Sequence, residues 1–156
     1  MRFALLVLSP ALMIAGHASA QTEETTFAVR ASVVAECTVN AQDLDFGTYS
    51  PTAAKTGQTI INLRCTPGSA ATLTLDGGTS GNPAARHMAG PADLNYGLFR
   101  DAGFQDPINN TEPAFELGAA ENTGAIVPYT IYGQIPSGQL VPAGSYLDTI
   151  RVTVQF

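Results

Sequence analysis

The chain has 156 residues, with seven Lys and Arg against thirteen Asp and Glu, a formal charge of −6, and two cysteines. That length holds one domain with a real core, and the acidic balance without any basic cluster argues against nucleic acid as a partner. Fifteen glycines and ten prolines punctuate the chain about every ten residues and helix signals are almost absent, which predicts many short strands in an all-β sandwich or barrel.

Residues 1–20 read as a secretory signal peptide. Arg2 gives a basic start, Phe3 to Ala15 is mostly apolar, and Ala18-Ser19-Ala20 offers small residues for cleavage before Gln21. The apolar run of about 13 residues is short of the roughly 20 that a spanning helix needs. Removing the leader takes away one base and no acid. Export places Cys37 and Cys65, the two cysteines, in an oxidising compartment such as a bacterial periplasm, where they read as one disulfide.

Gln21 to Glu24 is a polar lead. From Thr25 to Cys37, the residues Phe27, Val29, Ala31, Val33 and Ala35 recur with period two, alternating with Ala28, Arg30, Ser32, Val34 and Glu36. This is the pattern of a half-buried strand. Such a strand can close its own domain or leave it to close a neighbour's, and the periodicity fits both. Leu44, Phe46 and Thr48 alternate in a short element ended by Ser50-Pro51, and Ala53 to Gln58 reads as a polar loop. Thr59 to Cys65 is a clean strand with Ile61, Leu63 and Cys65 on one face, and Ala71 to Asp76 follows after the Pro67-Gly68 turn.

Arg86 to Met88 reads as a short strand against the preceding one, Leu94 to Arg100 as another, and Ala114 to Leu117 as a third. Ala125 to Ile135 is a strand in which Pro128 indicates an edge or a strand start. Ser145 to Phe156 is the most regular stretch. From Ile150 on, Ile150, Val152, Val154 and Phe156 share one parity and are expected to be buried.

These residues carry a family resemblance. The alternating strand ending at Cys37, Leu44-Asp45-Phe46-Gly47 with Tyr49, and the strand into Cys65 all match, as do the runs 73–78, 94–101, 132–136 and 141–156. In that order and spacing, the chain from Thr25 to Phe156 resembles the spore coat protein U domain family, which includes subunits of archaic chaperone–usher pili. The resemblance implies an incomplete immunoglobulin-like β-sandwich that lacks its last strand. A periplasmic chaperone fills the gap first, and at the outer-membrane usher the N-terminal strand of the next subunit replaces it. It also implies a disulfide between Cys37 and Cys65. The expected organisation is a signal peptide over 1–20, a donor-strand extension over 21–36 and a pilin-like domain over 37–156. Phe156 is a candidate anchor for the chaperone.

Enzymatic constellations are missing from this reading. His87 has no free Ser or Cys nucleophile assigned beside it. Asp43 and Asp45 fall on the wet face, and a carboxylate pair of Asp45 with Asp76 or Asp148 lacks an indicated cleft. Asp76-Gly77-Gly78 is a turn with no lysine or helix after it. Asp101 and Asp106 do not have the spacing of a calcium loop, and Tyr132 beside Gly133 reads as packing at the rim. No catalytic residue, metal or cofactor is expected. The expected function is a structural subunit of a surface fimbria that polymerises with itself or with other pilins, reaches the cell surface through the periplasm, and supports adhesion and biofilm formation. Its single-domain length favours a shaft or adaptor subunit over a tip adhesin. The alternative is a secreted or coat-associated β-sandwich module without a long fibre.

Overall fold

The computed structural model describes residues 21–109 and 112–156. The signal peptide assigned to residues 1–20 lies outside them. The chain divides into two units, Met1–Ser32 and Val33–Phe156. In the first, the described residues 21–32 carry no helix or strand and are exposed throughout.

The described residues of the second unit are all-β apart from one short 3-10 turn, Gly78–Ser80. Among the described residues nine strands run in chain order: β1 (Cys37–Ala41), β2 (Lys55–Cys65), β3 (Ala71–Leu75), β4 (His87–Met88), β5 (Leu94–Asn95), β6 (Gly97–Phe99), β7 (Phe115–Leu117), β8 (Val127–Ile135) and β9 (Val152–Gln155). One sheet has the order β1-β2-β8-β6, a second β7-β3-β9, and β4 with β5 forms a two-stranded ribbon. Every strand pair is antiparallel.

The period-two pattern explains the layering. Ile61, Leu63 and Cys65 of β2 and Ile131 of β8 point the same way as Leu98 of β6, and they meet Ala71, Leu73 and Leu75 of β3 and Leu117 of β7 in one buried cluster. Inward faces of two sheets sharing one core define a sandwich.

The β2–β8 ladder is the longest, from Lys55↔Ile135 to Leu63↔Val127. It takes in residues 55–58, which read as a loop by composition; their polar side chains hide a backbone paired with β8. Gly57 lies opposite Gly133 there. A Cβ on Gly133 would stand 2.7 Å from Phe46 Cζ and 2.8 Å from Leu44 Cδ1. The absence of that carbon lets residues 44–46 lie across the sheet. Pro128 sits at the second position of β8, and β6 reaches only Tyr132–Gln134 on that side, so the missing N–H breaks no ladder.

Four other expectations change. The first strand is Cys37–Ala41, and residues 25–36 pair with no strand among the described residues. Leu44 to Thr48 forms no strand. β4 pairs with the following β5, not with the preceding strand. Of Ser145–Phe156 only Val152–Gln155 is regular strand, because Leu147 bridges to Ala89 and the next residue, Asp148, is drawn to another loop.

Candidate functional site

Sheet edges place the main feature of the molecule. Among the described residues β9 pairs with β3 on one side only, and β1 pairs with β2 on one side only. After β1, Gln42 still bonds β2, its amide donating to the Ile60 carbonyl at 3.1 Å and its carbonyl accepting from the Thr59 hydroxyl at 2.6 Å, and the chain from Asp43 to Tyr49 runs without strand pairing among the described residues. Between this run and the segment Val141–Val152 opens a groove of about 1110 Å³. Its floor is apolar: Ile61, Leu75, Leu98, Ile131 and Ile135 come from both sheets, and Leu94 from β5. Leu44 and Phe46 on one wall and Ile150 and Val152 on the other are half-buried. Asp43 and Asp45 alternate with Leu44 and Phe46 and are exposed. The volume exceeds the range of about 300–1,000 Å³ usual for small-ligand pockets. Unpaired backbone along the walls suits an extended chain better than a compact ligand.

Of the apolar C-terminal set, Ile150, Val152 and Val154 are half-buried and touch the core cluster. Phe156 is 60% exposed, so its expected burial does not hold. The physical reason is the open edge: β9 has a neighbour on one side and solvent on the other. Phe27, Val29 and Val33 are 87%, 84% and 85% exposed, and Ala31 and Ala35 are exposed as well. Cys37 and Cys65 are disulfide-bonded. They are directly opposite each other as the first pair of the β1–β2 register. Beside them the Thr66 amide donates to the Glu36 carbonyl at 2.8 Å, and the Glu36 amide donates to Thr66 Oγ1 at 3.1 Å.

The groove's far wall is held by a polar cluster that the sequence reading did not assemble. Asp148 accepts from the Thr79 amide and hydroxyl, both at 2.7 Å, and from the Tyr96 hydroxyl at 2.6 Å. Gly78, at φ +58, lies beside it, and a Cβ there would stand 2.3 Å from the carboxylate. Burial opposes ionisation of Asp148, but the hydrogen bonds from Tyr96, Thr79 and the backbone outweigh it and hold its carboxyl below the usual range. The Tyr96 hydroxyl is pushed well above its ordinary range, first by burial and then by its bond to Asp148. Asp76 Oδ1 takes the amides of Gly78 and Arg151 at 3.0 and 2.9 Å.

Arg86, 2% exposed, underlies this cluster. Its guanidinium donates to the carbonyls of Asp76, Pro83, Leu75 and Ile108. Burial lowers its pKa, partly opposed by Tyr96, Asp76 and Asp148. An arginine just ahead of a two-residue strand gives no periodic sign of burial; the signal lies in the breaks at Asp76 and Pro83, whose carbonyls it takes.

The remaining candidates stay apart. His87 Nε2 is 3.6 Å from Asp93 Oδ1 at the surface. Asp45 accepts the Gly47 amide at 2.7 Å. Asp101 accepts the amides of Gly103, Gln105 and Asp106, and the last of these bonds is the main reason its pKa is lowered. Asp106 pairs with Arg100 at 2.8 Å. Tyr132 lies in β8, half-buried. Among the described residues no group of three or more His, Cys, Asp or Glu could hold a metal ion.

Two facing antiparallel sheets around one core, with an open edge beside β9, make an immunoglobulin-like sandwich. The chain belongs to the Spore Coat Protein U domain family, which it matches over residues 23–153. It is 29% identical to Protein U of Myxococcus xanthus over 177 aligned positions, covering 98% of this chain and 96% of that protein. Its fold is similar to that in the CsuC–CsuE chaperone–tip adhesion subunit pre-assembly complex from archaic chaperone–usher Csu pili of Acinetobacter baumannii. There the TM-score is 0.55 and the identity 24%, over 80% of this chain and 40% of that one.

Proposed function

We propose that the chain is a structural subunit of a surface fimbria, exported through the periplasm, held there by a chaperone, and assembled at an outer-membrane usher by donor-strand complementation. Adhesion and biofilm formation follow from a fibre at the cell surface. The observation that carries this reading is a pair of complementary features in one chain. One is an open apolar groove flanked by unpaired backbone; the other is an exposed segment, Phe27 to Ala35, with apolar residues at every second position. β-Strand addition joins such features through main-chain hydrogen bonds and alternate side-chain pockets. A head-to-tail contact of this kind does not close on itself, so it grows a fibre. In this reading residues 1–20 are removed, 21–36 form the donor extension, 37–156 form the acceptor domain, and exposed Phe156 is open to the chaperone. The Csu complex, a chaperone bound to a tip subunit, supports a chaperone among the partners.

The test is the size of mature protein from the periplasm under non-reducing conditions, co-expressed with its chaperone and usher, beside a form lacking Gln21–Glu36. A ladder of detergent-resistant oligomers that vanishes on truncation is expected. A stable monomer from the full mature chain overturns the reading. A second reading, a coat-associated module without a long fibre, is favoured by membership of the Spore Coat Protein U domain family. Electron microscopy of expressing cells separates the two by the presence of fibres.

A further inference from the structure

The apolar period of the extension leaves one question open. Displacing Phe27–Ala35 by one residue along the groove turns Arg30 and Ser32 toward the apolar floor and is blocked. Displacing it by two keeps an apolar residue over every position. Hydrophobic alternation therefore selects a face but not a register, and something else must fix the position and the identity of the donor.

The outward faces supply it. A strand lying between the 42–49 run and β9 shows its second set of side chains, Ala28, Arg30, Ser32 and Val34, to solvent beside those of its neighbours. On the 42–49 wall the solvent-facing positions that alternate with Leu44 and Phe46 are Asp43 and Asp45, both exposed. Arg30 is the only base between Gln21 and Ala54, and it stands next to the centre of the 27–35 segment; Glu23, Glu24 and Glu36 flank it at the ends. Because Arg30 is central, it meets the middle of the wall whichever direction the donor runs. Directly opposed side chains on one face of a sheet have Cβ atoms about 5 Å apart, within ion-pair reach. The same two acids disfavour the acidic ends of the extension.

We infer that the groove takes the extension of a second copy of this chain, with Arg30 of one copy set over Asp43 and Asp45 of the next, so that this charge contact fixes register and selects self over other subunits. The inference rests on the proposed donor-strand reading and adds the partner and the residues that choose it.

A charge exchange in the full mature chain tests it. R30E reverses the donor. D43K/D45N reverses the wall, and asparagine at 45 keeps the acceptor for the Gly47 amide. Each variant alone places like charges together at every junction. Mixed, each donor meets a groove of opposite sign and an alternating fibre is possible. The expected result is a detergent-resistant ladder from the native chain, a loss of about fivefold or more in ladder formation for each variant alone, and recovery on mixing. The loss is expected to shrink in 1 M salt, where screening acts within about 3 Å.

Ladders from either variant equal to native overturn the inference while the fibre reading stands. So do failure of the mixture to recover and a native chain that takes only another subunit's strand. A native chain that closes on its own extension as a stable monomer overturns the inference and the fibre reading together. A ladder that persists after deletion of Gln21–Glu36 overturns the donor-strand reading itself.

Discussion

Tyr96 donates its hydroxyl to Asp148 at 2.6 Å, tying the residue between β5 and β6 to the run that leads into β9. The two are 52 positions apart and close one end of the groove wall. A hydrogen bond to a charged group contributes about 1.5–3 kcal/mol net. Tyr96→Phe is expected to lower stability by about 2 kcal/mol, read as a fall in the urea midpoint at unchanged slope.

Asp148 also gives the molecule an acid limit. Its folded pKa is depressed, so the stability it contributes is complete above the unfolded aspartate value of about 3.9 and is lost as pH falls through the folded value. Asp148→Asn should flatten that acid limb in urea titrations between pH 7 and pH 3. Tyr96 acts at the other end. Its folded pKa is raised, so its contribution is complete below the unfolded value of about 10 and is lost as pH rises beyond it. Tyr96→Phe should remove that alkaline loss.

Arg86 closes four carbonyls at once. Arg86→Met fills a similar volume but leaves those acceptors buried and unpaired, at a cost of about 3–5 kcal/mol. Lysine cannot reproduce the fork of donors, and Arg86→Lys is expected to recover less than half of the loss. Chemical denaturation of both variants checks the order.

The disulfide encloses the loop between Cys37 and Cys65, a separation of 28. On the loop-entropy account its removal costs about 3–4 kcal/mol. Cys37→Ser with Cys65→Ser should lower the melting temperature. Amide exchange should rise first in β1, which pairs on one side only and begins at Cys37.

Gly133 tests the groove wall directly. Gly133→Val places a branched side chain where Phe46 and Leu44 already stand at 2.7 and 2.8 Å from the added Cβ. Overpacking of this kind costs about 1–3 kcal/mol. It should also displace residues 44–46 and slow donor uptake more than it lowers stability, measured as ladder formation against urea midpoint.

The alternation of Ile61, Leu63 and Cys65, of Leu73 and Leu75, and of Ile131 made the central strands readable, because each buries one face in a shared core. Cysteine count and export signal led to the Cys37–Cys65 bond. Family resemblance led to the fold. Ladder partners were harder to read. Lys55–Gln58 looks like a loop by composition yet is strand by backbone pairing with β8, while Ser145–Arg151 looks like a strand and is diverted by Asp148's bonds to Thr79 and Tyr96. Arg86 shows the general limit. A buried cation satisfied wholly by carbonyls depends on where the end of β3 and two loops bring theirs together, and no side-chain period records that.

The bond between Cys37 and Cys65 also decides how the domain meets a pull along its N-terminal extension. Tension arriving from residue 36 reaches the fold at the first residue of β1, where it would ordinarily peel that edge strand away one hydrogen bond at a time. Here it passes through sulfur to the end of β2, whose nine-position ladder with β8 is the longest among the described residues. A tug on the tether is borne by covalent linkage and the inner strands of the sheet, and the flank of the groove at β1 keeps its shape under strain.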